Sequence, residues 1–230
     1  TYLDGVLRQH LPILFGINNP QELQSVFQIL VHNAGEEISI ERLSELGGVA
    51  KNTIQKYLDY FDATFQLQRL DKFDPVNGPF ARARNFKLYM TDPSAQAALF
   101  GPIDGGPESK RVVEAALLSA ALLKSSGTEL FYGIWKGREI PFIARSCPSQ
   151  EKNCAYFYLD WEAVEDTPPE QFAAHAALPS EALGPDPYIE IFTRSLSGGA
   201  TFDGTKIRFT PAALYCWEIG RQAALDWPVR

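Results

Sequence analysis

The chain has 230 residues, 45% hydrophobic and 21% charged, which is enough apolar material for a core and close to ordinary soluble composition. A net charge of −7 argues against a broad nucleic-acid-binding surface and leaves only a local basic patch open. No apolar run approaches the roughly 20 residues of a spanning helix, and the amphipathic opening TYLDGVLRQHLP is not a signal peptide.

A cytoplasmic chain with no membrane partner is therefore expected, and the missing initiator Met suggests a piece of something longer. Cys147, Cys154 and Cys216 lack metal-ligand spacing. Cys147 and Cys154 can face each other across a hairpin, but free thiols in a reducing compartment are the expectation. His10, His32 and His175 are scattered, and no cofactor or metal is expected.

Along the chain, Asn19-Pro20 is a helix start, with Asn as cap and Pro in the first turn. Leu23, Phe27 and Leu30 then share one helical face. Ser39 caps a short helix in which Ile40, Leu43 and Leu46 share a face. Gly47-Gly48 makes a tight turn, and Ile54, Tyr57, Leu58 and Phe61 mark another amphipathic helix. The alternating runs FQLQ (65–68) and FKLYM (86–90) predict two strands joined by the turn-rich loop DPVNGPFARAR. Two short helices around a glycine turn, followed by a hairpin, are the pattern of a winged helix-turn-helix over residues 20–92.

A boundary is expected at Gly101–Gly106, separating a domain over 1–100 from one over 101–230. Pro107 opens a helix with Val113, Leu117 and Ala120 at helical spacing. Strands are expected at Leu130–Trp135, Glu139–Ala144 and Cys154–Leu159, with Lys136-Gly137 as the first turn. Pro168-Pro169 starts a further helix. Tyr188–Arg194 and Lys206–Phe209 read as a hairpin, and Thr210-Pro211 as cap and first residue of the last helix. The fold class is α+β: a helical N-terminal part with the winged helix, then a mixed α/β domain.

Two sets of residues carry possible chemistry. The outer face of the second helix of the pair holds Lys51, Asn52, Gln55 and Lys56, types that touch phosphates and base edges in a major groove. The wing adds Arg82, Arg84 and Lys87. Residues 1–92 carry nine basic against eleven acidic side chains, so the positives are local rather than general. An exposed helix face is polar in any case, and a protein partner stays as open as double-stranded DNA.

The second set concerns metal-dependent phosphodiester cleavage, which needs two or more converging carboxylates. Glu114 lies on the helix and Glu139 on the second strand, where Pro141 holds the central inward position. The third strand has no acid or lysine before Asp160. The acids read as structural, and a migrated set of Glu114, Glu139 and Asp160 is the alternative. No GxxxxGK[ST] loop occurs.

Taken together, YLDGVLRQHLP, LSELGGVAKNTIQKYLDYFDATFQLQRL, FKLYMTDPSAQAALFG and RVVEAALLSAALL, spread over about residues 1–145, resemble the C-terminal region of prokaryotic AAA+-type ATPases. In that family a nucleotide-binding domain precedes a winged helix and a restriction-nuclease-like domain of uncertain role. The resemblance implies an ATPase domain upstream. It also implies a nuclease-like pattern of a helical Glu, a Glu-hydrophobic-Asp-Phe strand and a Glu-x-Lys strand. Glu114 falls on the first; Glu139-Ile140-Pro141-Phe142 falls on the second, with proline in place of aspartate; the third pattern is absent from Cys154–Asp160. The family's Asp-Thr-Gly-Leu after the wing stands here as Asp92-Pro93-Ser94-Ala95. The implied function is a non-catalytic recognition module with a degenerate nuclease-like site.

Overall fold

A computed structural model describes residues 5–73, 84–92, 107–124, 128–135, 138–146, 154–160, 172, 188–202 and 204–226. The fold is mixed α+β and divides into two compact units. Unit 1 comprises Thr1–Leu70 and Arg82–Ala115; unit 2 comprises Asp71–Ala81 and Ala116–Arg230. The division falls inside a helix rather than at Gly101–Gly106, which lies outside the described residues, as do Arg82, Cys147, the Lys136-Gly137 turn and the Pro168-Pro169 helix start. Among the described residues no helix is long and apolar enough to cross a membrane.

In unit 1 a π-helical turn, Val6–His10, runs into α1 (Leu11–Phe15). Helix α2 (Pro20–His32) starts where expected: the Asn19 side chain accepts the Glu22 N–H at 3.1 Å, and the first-turn proline has no donor to lose. Strand β1 (Ile38–Ser39) leads into α3 (Ile40–Gly47), whose first turn is capped by Ser39 accepting from the Arg42 N–H. Gly48, at φ 61, takes the left-handed conformation that ends α3 within one residue. The chain then turns into α4 (Lys51–Ala63).

Leu23, Phe27 and Leu30 of α2, Leu43 of α3, and Ile54, Tyr57, Leu58 and Phe61 of α4 meet in one apolar core. Leu46, expected on the buried face of α3, is exposed. Strands β2 (Leu67–Lys72) and β3 (Asn85–Met90) are neighbours, and β3 pairs antiparallel with β1 through Ile38↔Phe86 and Ser39↔Asn85.

The alternating run expected from Phe65 begins only at Leu67, because Phe65 belongs to the end of α4. The Gln66 N–H reaches the Phe61 carbonyl at 2.8 Å and the Phe65 N–H reaches that of Asp62 at 2.9 Å. This is a Schellman-type closure, whose left-handed residue is usually glycine. Phe65 occupies that position at φ 54 with 79% of its surface exposed.

Helix α5 (Pro107–Lys124) gives its first half to unit 1 and its second to unit 2. Unit 2 is built on β4 (Thr128–Trp135), β5 (Arg138–Ser146), β6 (Cys154–Leu159), β7 (Tyr188–Thr193), β8 (Gly198–Phe202) and β9 (Thr205–Pro211), in the order β4-β5-β6-β7-β9-β8. Asp71 and Lys72, the end of β2, run parallel beside Phe131 and Tyr132 of β4. The first three strands form the expected antiparallel meander. Ile140, Ile143, Ile189, Ile191, Ile207, Phe209 and the described Phe172 share a core on one face.

The expected terminal hairpin is different. Tyr188–Thr193 and Thr205–Pro211 pair in parallel, because Gly198–Phe202 forms a strand of its own and supplies the antiparallel partner of β9. Thr210 and Pro211 belong to β9, and the last helix, α6 (Ala212–Asp226), starts after them.

Within β5 the proline has a definite place. Phe131 pairs with Ile143 and Gly133 with Ile140, so Pro141 and Phe142 both stand opposite Tyr132 in a β-bulge. The ladder to β6 begins only at Phe142. Pro141 therefore sits where no ladder N–H is required. The extra residue also brings Ile140 and Ile143 into the same core, which strict alternation would forbid for positions three apart. Next to the bulge, a Cβ on Gly133 would meet the Ile143 Cδ1 at 2.8 Å, so a larger residue there would push the Ile143 side chain aside.

Candidate functional site

Helix α4 is held by its inner face. Ile54, Tyr57, Leu58 and Phe61 are buried, and the Tyr57 hydroxyl donates to the Glu22 carboxylate at 2.7 Å, tying α4 to α2. Burial first, and the Glu22 carboxylate second, push the Tyr57 phenol above its ordinary pKa, so it remains a donor. The outward face is thereby fixed: Lys51, Asn52 and Lys56 are exposed and Gln55 is half-buried.

Two of these residues are engaged. The Lys51 ammonium lies 3.2 Å from the Glu41 carboxylate, and the Gln55 amide donates to Asp59 at 2.8 Å. Arg84 is exposed at the entry to β3, and the Ser39↔Asn85 pairing brings it beside the start of α3. The Glu41 carboxyl is held below its usual pKa by its own backbone N–H, then by Lys51, with a smaller contribution from Arg84. Lys51 of α4 and Glu41 of α3 thus form an exposed ion pair that joins the two helices.

Lys87 does not join it. Expected as an exposed wing cation, it is 3% exposed. The reason is that β3 runs between β1 and β2 and both of its faces are covered. Phe86, Leu88 and Met90 enter the helical core, and Tyr89, on the Lys87 side, is also buried.

The nuclease-like positions fall in different surroundings. Glu114 is buried in unit 1, where it accepts from the Tyr89 hydroxyl at 3.4 Å and has Lys110 at 3.9 Å, one helical turn back. Beside it, Arg111 reaches the His32 carbonyl at 3.2 Å and the Glu36 carboxylate at 2.6 Å. Glu139 is exposed in unit 2, opposite Ile134, and Pro141 is buried at the bulge. Asp160 closes β6, its N–H on the Phe192 carbonyl at 2.9 Å. Among the described residues no three His, Cys, Asp or Glu side chains are grouped as a metal ion would need.

One buried acid was not singled out by sequence reading. Glu190, at the centre of β7 and 4% exposed, accepts from the Thr210 hydroxyl of β9 at 2.5 Å and has the Arg208 guanidinium at 3.9 Å. An acid in the middle of the apolar run YIEIFT was the available signal. Thr210, expected as a helix cap, spends its hydroxyl on this carboxylate instead. The cavity on that side of unit 2, lined by Leu117, Leu118, Phe142, Phe192 and Tyr215, holds about 10 Å³, room for a single water and for no larger ligand.

A family model described as a domain of unknown function (DUF8612) matches residues 1–103. No curated protein and no solved structure matches the chain.

Proposed function

We propose that residues 20–92 are a winged helix that binds double-stranded DNA through the outer face of α4. In this reading the chain is the non-catalytic recognition module of an AAA+-type ATPase, acting in the cytoplasm. The observation that carries it is the division of α4 into a wholly buried apolar face and an exposed face with Lys51, Asn52 and Lys56, flanked by Arg84. A rigidly backed helix presenting amides and cations is what major-groove entry needs. Capped α3, the Gly48 turn and the β2–β3 pair support the helix-turn-helix and wing reading.

In unit 2, the helical segment followed by a β4-β5-β6 meander and then a parallel strand, β7, supports a restriction-nuclease-like ancestry. Pro141, where a catalytic aspartate would stand, supports a non-catalytic role. An upstream ATPase domain belongs to the same proposal, and a Walker A loop encoded ahead of Thr1 would support it.

The test is fluorescence anisotropy of a labelled duplex titrated with the chain across a salt series. With Lys51, Lys56 and Arg84 each meeting a phosphate, log K should fall against log salt with a slope of about −2.7. Replacing both lysines, Lys51→Ala with Lys56→Ala, should remove about two-thirds of that slope. Binding without a salt slope, or undiminished in the double variant, would overturn the DNA reading. A protein ligand is the second reading, favoured by the acids Glu41 and Asp59 that already engage Lys51 and Gln55 on this face.

A further inference from the structure

Glu41 stands beside Lys51, one of the cations of the candidate face. Its carboxylate, in the first turn of α3, is 3.2 Å from the Lys51 ammonium. Lys51 and Glu41 keep 57% and 50% of their side-chain surface exposed. So exposed a pair adds little to the fold, since water screens the attraction and ordering two side chains costs entropy. Its consequence lies instead in what it does to an incoming anion. A carboxylate at that point repels a phosphodiester and takes the ammonium the phosphate would use.

Neighbouring acids are engaged elsewhere: Glu45 by Arg42 at 3.3 Å, Glu37 by Asn85 at 2.6 Å, and Asp59 by Gln55 at 2.8 Å. We infer that Glu41 occupies the seat of a DNA phosphate, an internal anion that a duplex must displace from Lys51 before this face can close on it. The inference rests on the DNA reading of α4. The exchange breaks no covalent bond: the exposed carboxylate turns out to solvent, and the ammonium passes to a phosphate oxygen. Glu41 thereby sets the affinity of the face and holds it below what its cations alone would give.

The experiment is the same duplex titration, on the full chain, with Glu41→Gln, which removes the charge and keeps the size. Glu45→Gln, on the same helix, controls for net charge alone. Thermal melting confirms that both variants fold. At about 50 mM salt Glu41→Gln should bind roughly fivefold tighter, with the slope unchanged, because Lys51 meets its phosphate in both complexes. Glu45→Gln should change affinity by less than about twofold and leave the slope alone. A Glu41→Gln titration that overlays the wild type, or that matches Glu45→Gln, would overturn the inference while the DNA reading stands. Duplex binding by neither wild type nor Glu41→Gln would overturn both; binding by Glu41→Gln alone would support both.

Discussion

The two units place their charged residues in opposite ways. In unit 1, α4 buries Ile54, Tyr57, Leu58 and Phe61 and sends Lys51, Asn52 and Lys56 outward, where their polar groups meet solvent at little cost to the fold. In unit 2, the carboxylate of Glu190 lies inside the sheet, held by a hydroxyl from the next strand. A charge in that position is committed to the architecture, because removing its partner leaves a buried group short of a hydrogen bond. The contrast separates what can recognise from what must support. Counting acids or bases along the sequence would not reveal it.

Three measurements sharpen or break that contrast. The largest effect is expected for Thr210→Val, which preserves shape and removes the donor to Glu190. Urea unfolding should show a loss of about 1.5–3 kcal/mol, the range for a hydrogen bond to a charged group. An unchanged midpoint would mean that the Glu190 site does not support the sheet.

A smaller and opposite effect is expected for Phe65→Gly. A side chain in the left-handed conformation costs about 1–2 kcal/mol, and the added freedom of glycine in the unfolded chain returns roughly half of that. The variant should be more stable by about 0.5–1 kcal/mol, read as a higher melting temperature. A loss of stability would show that the exposed ring contributes contacts outweighing its backbone strain. The smallest effect is expected for Lys56→Ala, within about 0.5 kcal/mol of the wild type. A larger loss would place Lys56 among the supporting residues and take it out of the proposed recognition face.

How much of this was legible depended on the range over which each signal acts. Asn19 and Ser39 cap the helices expected of them, because a cap and its N–H donors lie within four residues. The apolar stripe of α4 also followed from spacing alone. Strands β4, β5 and β6 emerged near their expected bounds, and the register places the proline of β5 in a bulge. What escaped was set by distant neighbours. Nothing local in FKLYM tells that the lysine side of β3 is covered as well as its apolar side. Nothing local separates a parallel β7–β9 pair from a hairpin, because that choice depends on β8 pairing with β9. Thr210 before a proline satisfies the rule for a helix start, yet its hydroxyl is taken by a carboxylate twenty positions earlier in the chain. For the candidate site, the outward residues of α4 were readable, but the engagement of Lys51 by Glu41 joins two helices and required the structure.

The bulge in β5 has a consequence for how the meander assembles. A hairpin of nearly continuous apolar residues can slide along its partner by two positions and still bury its side chains, which makes such strands prone to trapped misalignment. Here Ile140 and Ile143 reach a common core only across the two-residue step at Pro141-Phe142. Shifting the strand in either direction would carry the proline into a position that demands an N–H it lacks. It would also move Gly133, whose missing Cβ leaves room for the Ile143 methyl, away from it. The proline and the glycine together act as a notch and a tooth, admitting one alignment of β4 and β5 and rejecting its neighbours during folding.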